Sequence, residues 1–214
     1  MALLAVLILF RIGNPPILEE LRVRVFDLYQ VVKPRERTIR PVVIIDIDEK
    51  SIKALGQWPW PRTQLADLVT RLTKLGAAVV AFDVIFAEPD RMSPGMAAES
   101  MRNLDDETRQ KLRALPSNDE VFADAVRQSR VVLGDSALPT VQPGTQPPSL
   151  GVAMLGGDST PYLFDFPGLL RNIPVLQQAA AGRGLITVRN EADGIVRRVP
   201  MVMRAQGSVM PQGS

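Results

Sequence analysis

The stretch Val42-Val43-Ile44-Ile45-Asp46-Ile47-Asp48 is apolar on both alternating faces until its end, and a strand needs that pattern only when helices cover it on both sides. It predicts the first core strand of an α/β domain. A helix is expected from Thr63 to Leu75, with Leu65, Leu68, Val69, Leu72 and Leu75 on one face and Gly76 as its stop. Ala78 to Phe86 then reads as a second strand rich in β-branched and aromatic residues, which closes a right-handed βαβ unit.

The rest of the chain extends this plan. Leu18 to Val31 has apolar residues at helical spacing (Leu18, Leu21, Val25, Leu28). Glu88 to Pro116 is polar and reads as an insertion holding an exposed helix from Asp105 to Leu115. Ser117 with Glu120 is the capping box of a helix whose Val121, Phe122, Ala125 and Val126 face the core. Arg130 to Gly134 is strand three, and four prolines between Pro139 and Pro148 make a surface loop. A short helix is expected over Val175 to Ala181, and Leu185 to Val188 should pair with Ile195 to Met203 across a turn at Asp193-Gly194. The expected fold is a three-layer α/β sandwich with a mostly parallel central sheet plus a C-terminal antiparallel hairpin. Residues 18–205 form the domain, with insertions at 90–117 and 139–150 and a Gly/Ser/Pro/Gln tail at 206–214.

Ahead of it, residues 1–17 are read as the end of a transmembrane helix and a linker. The apolar stretch Ala2 to Phe10 breaks at Arg11, short of the roughly 20 residues a span needs. It also lacks the basic start and small-residue cleavage site of a secretory signal. The alternative is a buried amphipathic helix.

At 214 residues the chain suits one α/β domain. Lys and Arg number 25 against 23 Asp and Glu, a net charge of +2 with the two signs interspersed, so no nucleic-acid footprint is present. The chain has no His and no Cys, which removes the usual zinc ligands, the thiol nucleophile and every Ser-His-Asp arrangement. No cofactor is expected, a divalent cation being the one alternative.

Candidate chemistry gathers at the strand ends. Asp46 and Asp48 share parity, so their carboxylates project from one face about 7 Å apart, and Asp83 lies near the end of the next strand. Ligands bind beyond the C-terminal ends of strands in open α/β sheets, so the three acids suggest a cation site or an acidic ligand pocket. In the structural alternative, Asp48 caps a helical turn from Glu49 to Leu55, while Asp46 and Asp83 bond loop backbone. Trp58 and Trp60 sit in Gly56-Gln57-Trp58-Pro59-Trp60-Pro61-Arg62, held stiff by two prolines. They read as a pocket wall beside Arg62 at a helix N-terminus, or else as an aromatic plug closing the sheet. Arg197 shares parity with Ile195, Val199, Met201 and Met203, so it faces the covered side and needs a partner there. That partner is an aspartate of the strand-end cluster, unless Arg197 snorkels at an edge.

An apolar strand ending in D-x-D also resembles the nucleophile and acid pair of haloacid-dehalogenase-type phosphatases, which implies a metal-dependent phosphohydrolase using Asp46 and Asp48. Lys50 stands where that family has Thr or Val, and Asp105-Asp106 follows a polar stretch rather than a strand.

Taken together, "DLYQVVKP", "VVIIDIDEKSIKALGQWPWPR", "LTKLGAAVVAFDVIFAEPD", "VVLGD", "AAAGRGLITV" and "ADGIVRRVPMVM" resemble the CHASE sensor domain of type two, from about Leu21 to Met203. The resemblance implies an extracytoplasmic sensory domain, not an enzyme, of a bacterial receptor in the inner membrane, with the domain on the periplasmic side. It implies a homodimer, an unknown small-molecule or protein stimulus, and a cytoplasmic output that is a nucleotide cyclase, histidine kinase, diguanylate cyclase or Ser/Thr kinase. The family's recurrent positions match at Asp46, Asp48, Trp58, Pro59, Arg62, Asp83, Asp193, Gly194 and Arg197. The stretch from Asp90 to Pro116 is longer than the family pattern. A structural assembly domain without a ligand is the third reading.

Overall fold

The computed structural model describes residues 12–13, 15–34, 42–142, 155–188 and 193–213, and the chain divides into two units, Met1–Glu49 and Lys50–Ser214. In the first unit, helix α1 spans Pro16–Val32 and contains the expected Leu18–Val31 helix. It opens on a proline, which suits the first helical position because that N–H would have no partner. Ala2 to Phe10 lies outside the described residues. Among the described residues no helix is long and apolar enough to cross a membrane.

Residues 42–48 carry no regular secondary structure and join no sheet, and Ile44 is 87% exposed. This corrects the expected first core strand. The pattern of the segment is that of a strand covered on both faces, yet the described part of its own unit offers it no β-partner.

In the second unit the elements run α2 (Glu49–Leu55), α3 (Arg62–Lys74), β1 (Val80–Phe82), α4 (Pro94–Ser100), α5 (Asp106–Arg113), α6 (Asn118–Arg127) and β2 (Val131–Leu138). After a 3-10 turn at Thr160–Tyr162 come β3 (Asp165–Phe166), β4 (Gly168–Leu170), α7 (Pro174–Ala179), β5 (Gly182–Leu185), β6 (Val202–Ala205) and β7 (Ser208–Pro211). Strand β2 is the hub of a four-stranded sheet, parallel to β1 and β5 along its first half and antiparallel to β4 along its second. The other sheet pairs β6 parallel to β3 and antiparallel to β7. A bridge from Leu185 to Gln212 links them, with Gly213 N–H donating to the Leu185 carbonyl at 2.8 Å. The fold is α/β with two mixed sheets, where one mostly parallel sheet plus a hairpin was expected.

Local chemistry explains why most elements lie where they do. Helix α3 buries Leu65, Ala66 and Val69 and stops at Gly76, whose φ of 93° lets Ala77 N–H reach the Leu72 carbonyl at 3.0 Å. Leu75 falls beyond the helix and is exposed. Asp105 caps α5 by accepting from Thr108 N–H. The Ser117–Glu120 capping box of α6 is complete in both directions, and Phe122, Ala123 and Val126 are buried beneath it. Helix α6 packs between α3 and α7.

The terminal hairpin differs from expectation. It is β6–β7, closed at Gln206 (φ 51°) and Gly207 (φ 78°), the two left-handed residues that a type I′ turn requires. Residues 206–213 are therefore folded rather than a tail. Leu185 pairs with Asp135 of β2 instead of with Ile195–Met203, and 195–200 carry no ladder.

A buried polar group sits on the hub strand. Asp135 is fully buried, accepts from Asn172 Nδ2 at 3.1 Å, and stands 3.8 Å from Arg183 Nη1, a charge contact too long for a hydrogen bond. Burial pushes its carboxyl above the ordinary range, against the opposing pull of Arg183 and Asn172. Asn172 also accepts from Phe86 N–H at 2.8 Å and donates to the Gly134 carbonyl at 2.9 Å. One side chain thus ties the segment after β1 to the middle of β2.

Two outcomes follow. A Cβ at Gly168 would run into the Thr140 carbonyl oxygen, so Gly168→Ala should cost about 2–4 kcal/mol in urea unfolding. Because the folded-state pKa of Asp135 is raised, its contribution is present at low pH and is lost as pH rises through that value. The melting temperature of the parent should therefore gain on that of Asp135→Asn as pH falls from neutrality toward the ordinary carboxylate range, measured by circular dichroism.

Candidate functional site

A cleft of about 700 Å³ opens in the second unit between the segment before α3 and the segment after β1. Trp58, Pro59 and Trp60 line one side; Val84, Ile85, Glu88, Arg91 and Met92 line the other. The Trp58–Pro59 peptide bond is cis. The two indoles meet edge to face with centroids 5.5 Å apart, a favoured aromatic geometry. Trp60 is buried and donates from Nε1 to the Gly56 carbonyl at 2.8 Å, while Trp58 is partly open. Trp60 is thus the buried member of the pair and Trp58 the more open one.

The floor of the cleft is built on Arg62. Its position at the start of α3 follows Pro61, which has no side-chain hydrogen bond to offer as a cap. The cap comes from 28 residues away: Asp90 Oδ2 accepts from Arg62 N–H at 2.8 Å and from Asn118 Nδ2 at 2.8 Å. Asp90 Oδ1 accepts from Met92 N–H at 2.9 Å, and Asp90 N–H donates to Asp119 Oδ2 at 2.9 Å. Ser93 Oγ accepts from Asn118 N–H at 3.1 Å. A carboxylate facing the exposed N–H groups of a helix N-terminus is doubly favoured, by hydrogen bonding and by the helix dipole. The Arg62 guanidinium lies 4.3 Å over the Phe86 ring, 3.4 Å from Asp119 Oδ1, and donates weakly to the Glu88 carbonyl at 3.4 Å. Phe86 joins Phe82 and Phe122 in edge-to-face contacts at 5.4–5.7 Å.

Burial lowers the Arg62 guanidinium and raises the Asp119 carboxyl, and the attraction between them offsets only part of each shift. Nothing in this arrangement is a nucleophile poised beside a base. It is a recess with a buried charge network behind an aromatic wall.

The remaining expected residues are distributed elsewhere. Asp46 and Asp48 belong to the first unit and Asp83 to the second, just past β1; all three are exposed. Among the described residues no group of three or more His, Cys, Asp or Glu side chains could hold a metal ion. Arg197 has a partner four residues back: Nη1 and Nη2 donate to Asp193 Oδ1 and Oδ2 at 2.9 and 2.7 Å. This fork, with Ile195 N–H also donating to Oδ1, holds the Asp193 carboxyl down to about 2. Asp90, Ser93, Asn118 and Asp119 were not singled out in the sequence. Asn118 and Asp119 follow the capping-box serine, the one local hint of their place. Asp90 opens what reads as a polar insertion, yet it is the cap of α3.

A family model described as "CHASE2 domain" matches residues 1–213 of the chain. No curated protein and no solved structure matches it.

Asp90→Ala would leave the Arg62, Met92 and Asn118 donors without their acceptor. It should lower unfolding stability by about 3 kcal/mol and shift tryptophan emission, since both tryptophans of the chain line the cleft.

Proposed function

The chain belongs to the CHASE2 domain family, the extracytoplasmic sensory domains of receptors, and from that membership we propose that it receives a stimulus outside the cytoplasm and passes it through flanking membrane helices to a cytoplasmic output module. The domain does no chemistry itself. The output is a nucleotide cyclase, histidine kinase, diguanylate cyclase or Ser/Thr kinase of a bacterial receptor, seated in the inner membrane with this domain on the periplasmic side. The full-length receptor works as a homodimer. Family membership over residues 1–213 is the observation that carries the role.

The stimulus in this reading is a small molecule, and its site is the cleft between Trp58-Pro59-Trp60 and residues 84–92. Supporting it are the size, within the range of small-molecule pockets, and the mix of an aromatic and aliphatic wall with the charged groups Glu88 and Arg91 in the lining. Arg62 is a positioning residue here, because its guanidinium is engaged by Phe86, Asp119 and the Glu88 carbonyl. A ligand that favours one arrangement of the two walls would shift the population of receptor states by its differential affinity for them.

The chain has no cysteine, so Leu155→Cys, at a position 98% exposed, supplies one thiol in the domain. In the full-length receptor, a membrane-impermeant maleimide should label it in intact spheroplasts. Labelling only after lysis would put the domain in the cytoplasm and end the reading. In the same receptor, Trp58→Ala should change output at unchanged protein level; unaltered output would remove the cleft from the signalling path.

A further inference from the structure

Helix α1 carries a heptad that the cleft does not use. Leu18, Leu21, Val25, Leu28 and Val32 follow one another at spacings of three and four, which puts Leu18, Val25 and Val32 at the a positions and Leu21 and Leu28 at the d positions of a coiled-coil seam. Leu21, Val25, Leu28 and Val32 are all exposed. So are the flanking Ile17 and Val31 at g and Tyr29 at e, which widens the apolar strip on the side of the seam.

We infer that α1 is the seam of a parallel, in-register homodimer, each helix packing against the same helix of a second copy of this chain. This names the surface of the homodimer in the reading above, and it draws on that reading only for orientation: two copies in one membrane present α1 in the same direction. The seam composition selects the partner. β-branched residues at a with Leu at d favour two parallel strands, and Val25 and Val32, two of the three a positions, with Leu21 and Leu28 at d follow that rule, Leu18 at the helix start being the exception.

Charge selects the same alignment. In parallel register, g of one helix faces the next e of the other, so Arg24 lies opposite Tyr29 of the second copy and Arg22 opposite Ile17. No arginine meets an arginine, and a guanidinium beside a phenol ring is attractive. A full-length antiparallel overlap would instead set Arg24 against Arg24. The helix is about 25 Å long, and covering its seam on both copies removes on the order of 1,000 Å² from water, the lower limit of specific interfaces. The free chain therefore associates weakly, and tethering in a membrane raises the effective concentration enough to hold the pair.

Disulfide capture reads a weak association. On the cysteine-free chain, Leu21→Cys and Leu28→Cys should each form cross-linked dimers under mild oxidation roughly tenfold faster than Glu20→Cys and Gln30→Cys on the outer side, because only seam positions bring two Cβ atoms within disulfide reach. Adding Leu28→Lys to Leu21→Cys should abolish the fast cross-link, and adding Gln30→Lys should leave it. Equal rates on both sides of the helix would overturn the seam. Faster capture of Leu21→Cys by Leu28→Cys than by itself would overturn the parallel alignment. Either failure leaves the sensory reading standing, since labelling of Leu155→Cys tests that without reference to α1.

Discussion

A single carboxylate, Asp90, organises the functional end of the second unit. It caps α3 in place of a residue that cannot, ties the loop after β1 to Asn118 at the start of α6, and closes its own turn through Met92. Three chain segments meet at its two oxygens. Helix α3 follows a proline-rich stretch whose stiffness makes the aromatic wall but leaves its first N–H groups without a local acceptor. The acceptor had to come from elsewhere in the fold, and the cost of burying it is offset by the attraction of Arg62 close by, against the repulsion of Asp119.

The Arg62–Asp119 pair is not there for stability alone. Both groups are pulled toward neutrality by burial, which means that the attraction within the pair offsets only part of its desolvation. Buried ion pairs of this kind are commonly no more stable than apolar replacements, but removing one partner leaves an uncompensated charge. Arg62 also lies over Phe86, whose backbone is held by Asn172 and Ile173. The position of the guanidinium therefore fixes how the cleft walls relate to the phenylalanine cluster under α6 and to the hub strand β2.

What the sequence disclosed follows a physical rule: features decided within a few residues were legible, and features decided across the fold were not. The Ser117–Glu120 box and the Gly76 stop are local, and each formed as read. Trp58, Trp60 and Arg62 lie together at one cleft for the same reason, since they occupy one short, proline-stiffened run. Asp90 reaches Arg62 across 28 residues and Asn172 reaches Phe86 across 86, and no periodicity announces such bonds. Asp193-Gly194 is a strong local turn signal, but the hairpin lies elsewhere. In the structure the Asp193 carboxylate is engaged by Arg197 and Ile195 N–H, while β6 and β7 close at Gln206-Gly207. The burial of Val42–Ile45 depends on neighbours rather than on its own pattern, and its own unit supplies none of them among the described residues.

The cleft and the structural network share residues. The lining residues are not separate from the structural network: Phe86, Arg62 and Asp90 line the cleft and also hold α3 and α6 at their N-termini. A molecule seated between Trp58 and Ile85 would not need to deform a helix to be felt. It need only interact more favourably with one setting of the loop carrying Asp90 than with another, and the capped helices would follow. Equal affinity for both settings would shift nothing, however tight the binding. A stimulus received at this site, as proposed above, would act through the coupling of one cap to two helices, since a setting that left Arg62 or Asp119 unpaired would carry an uncompensated buried charge.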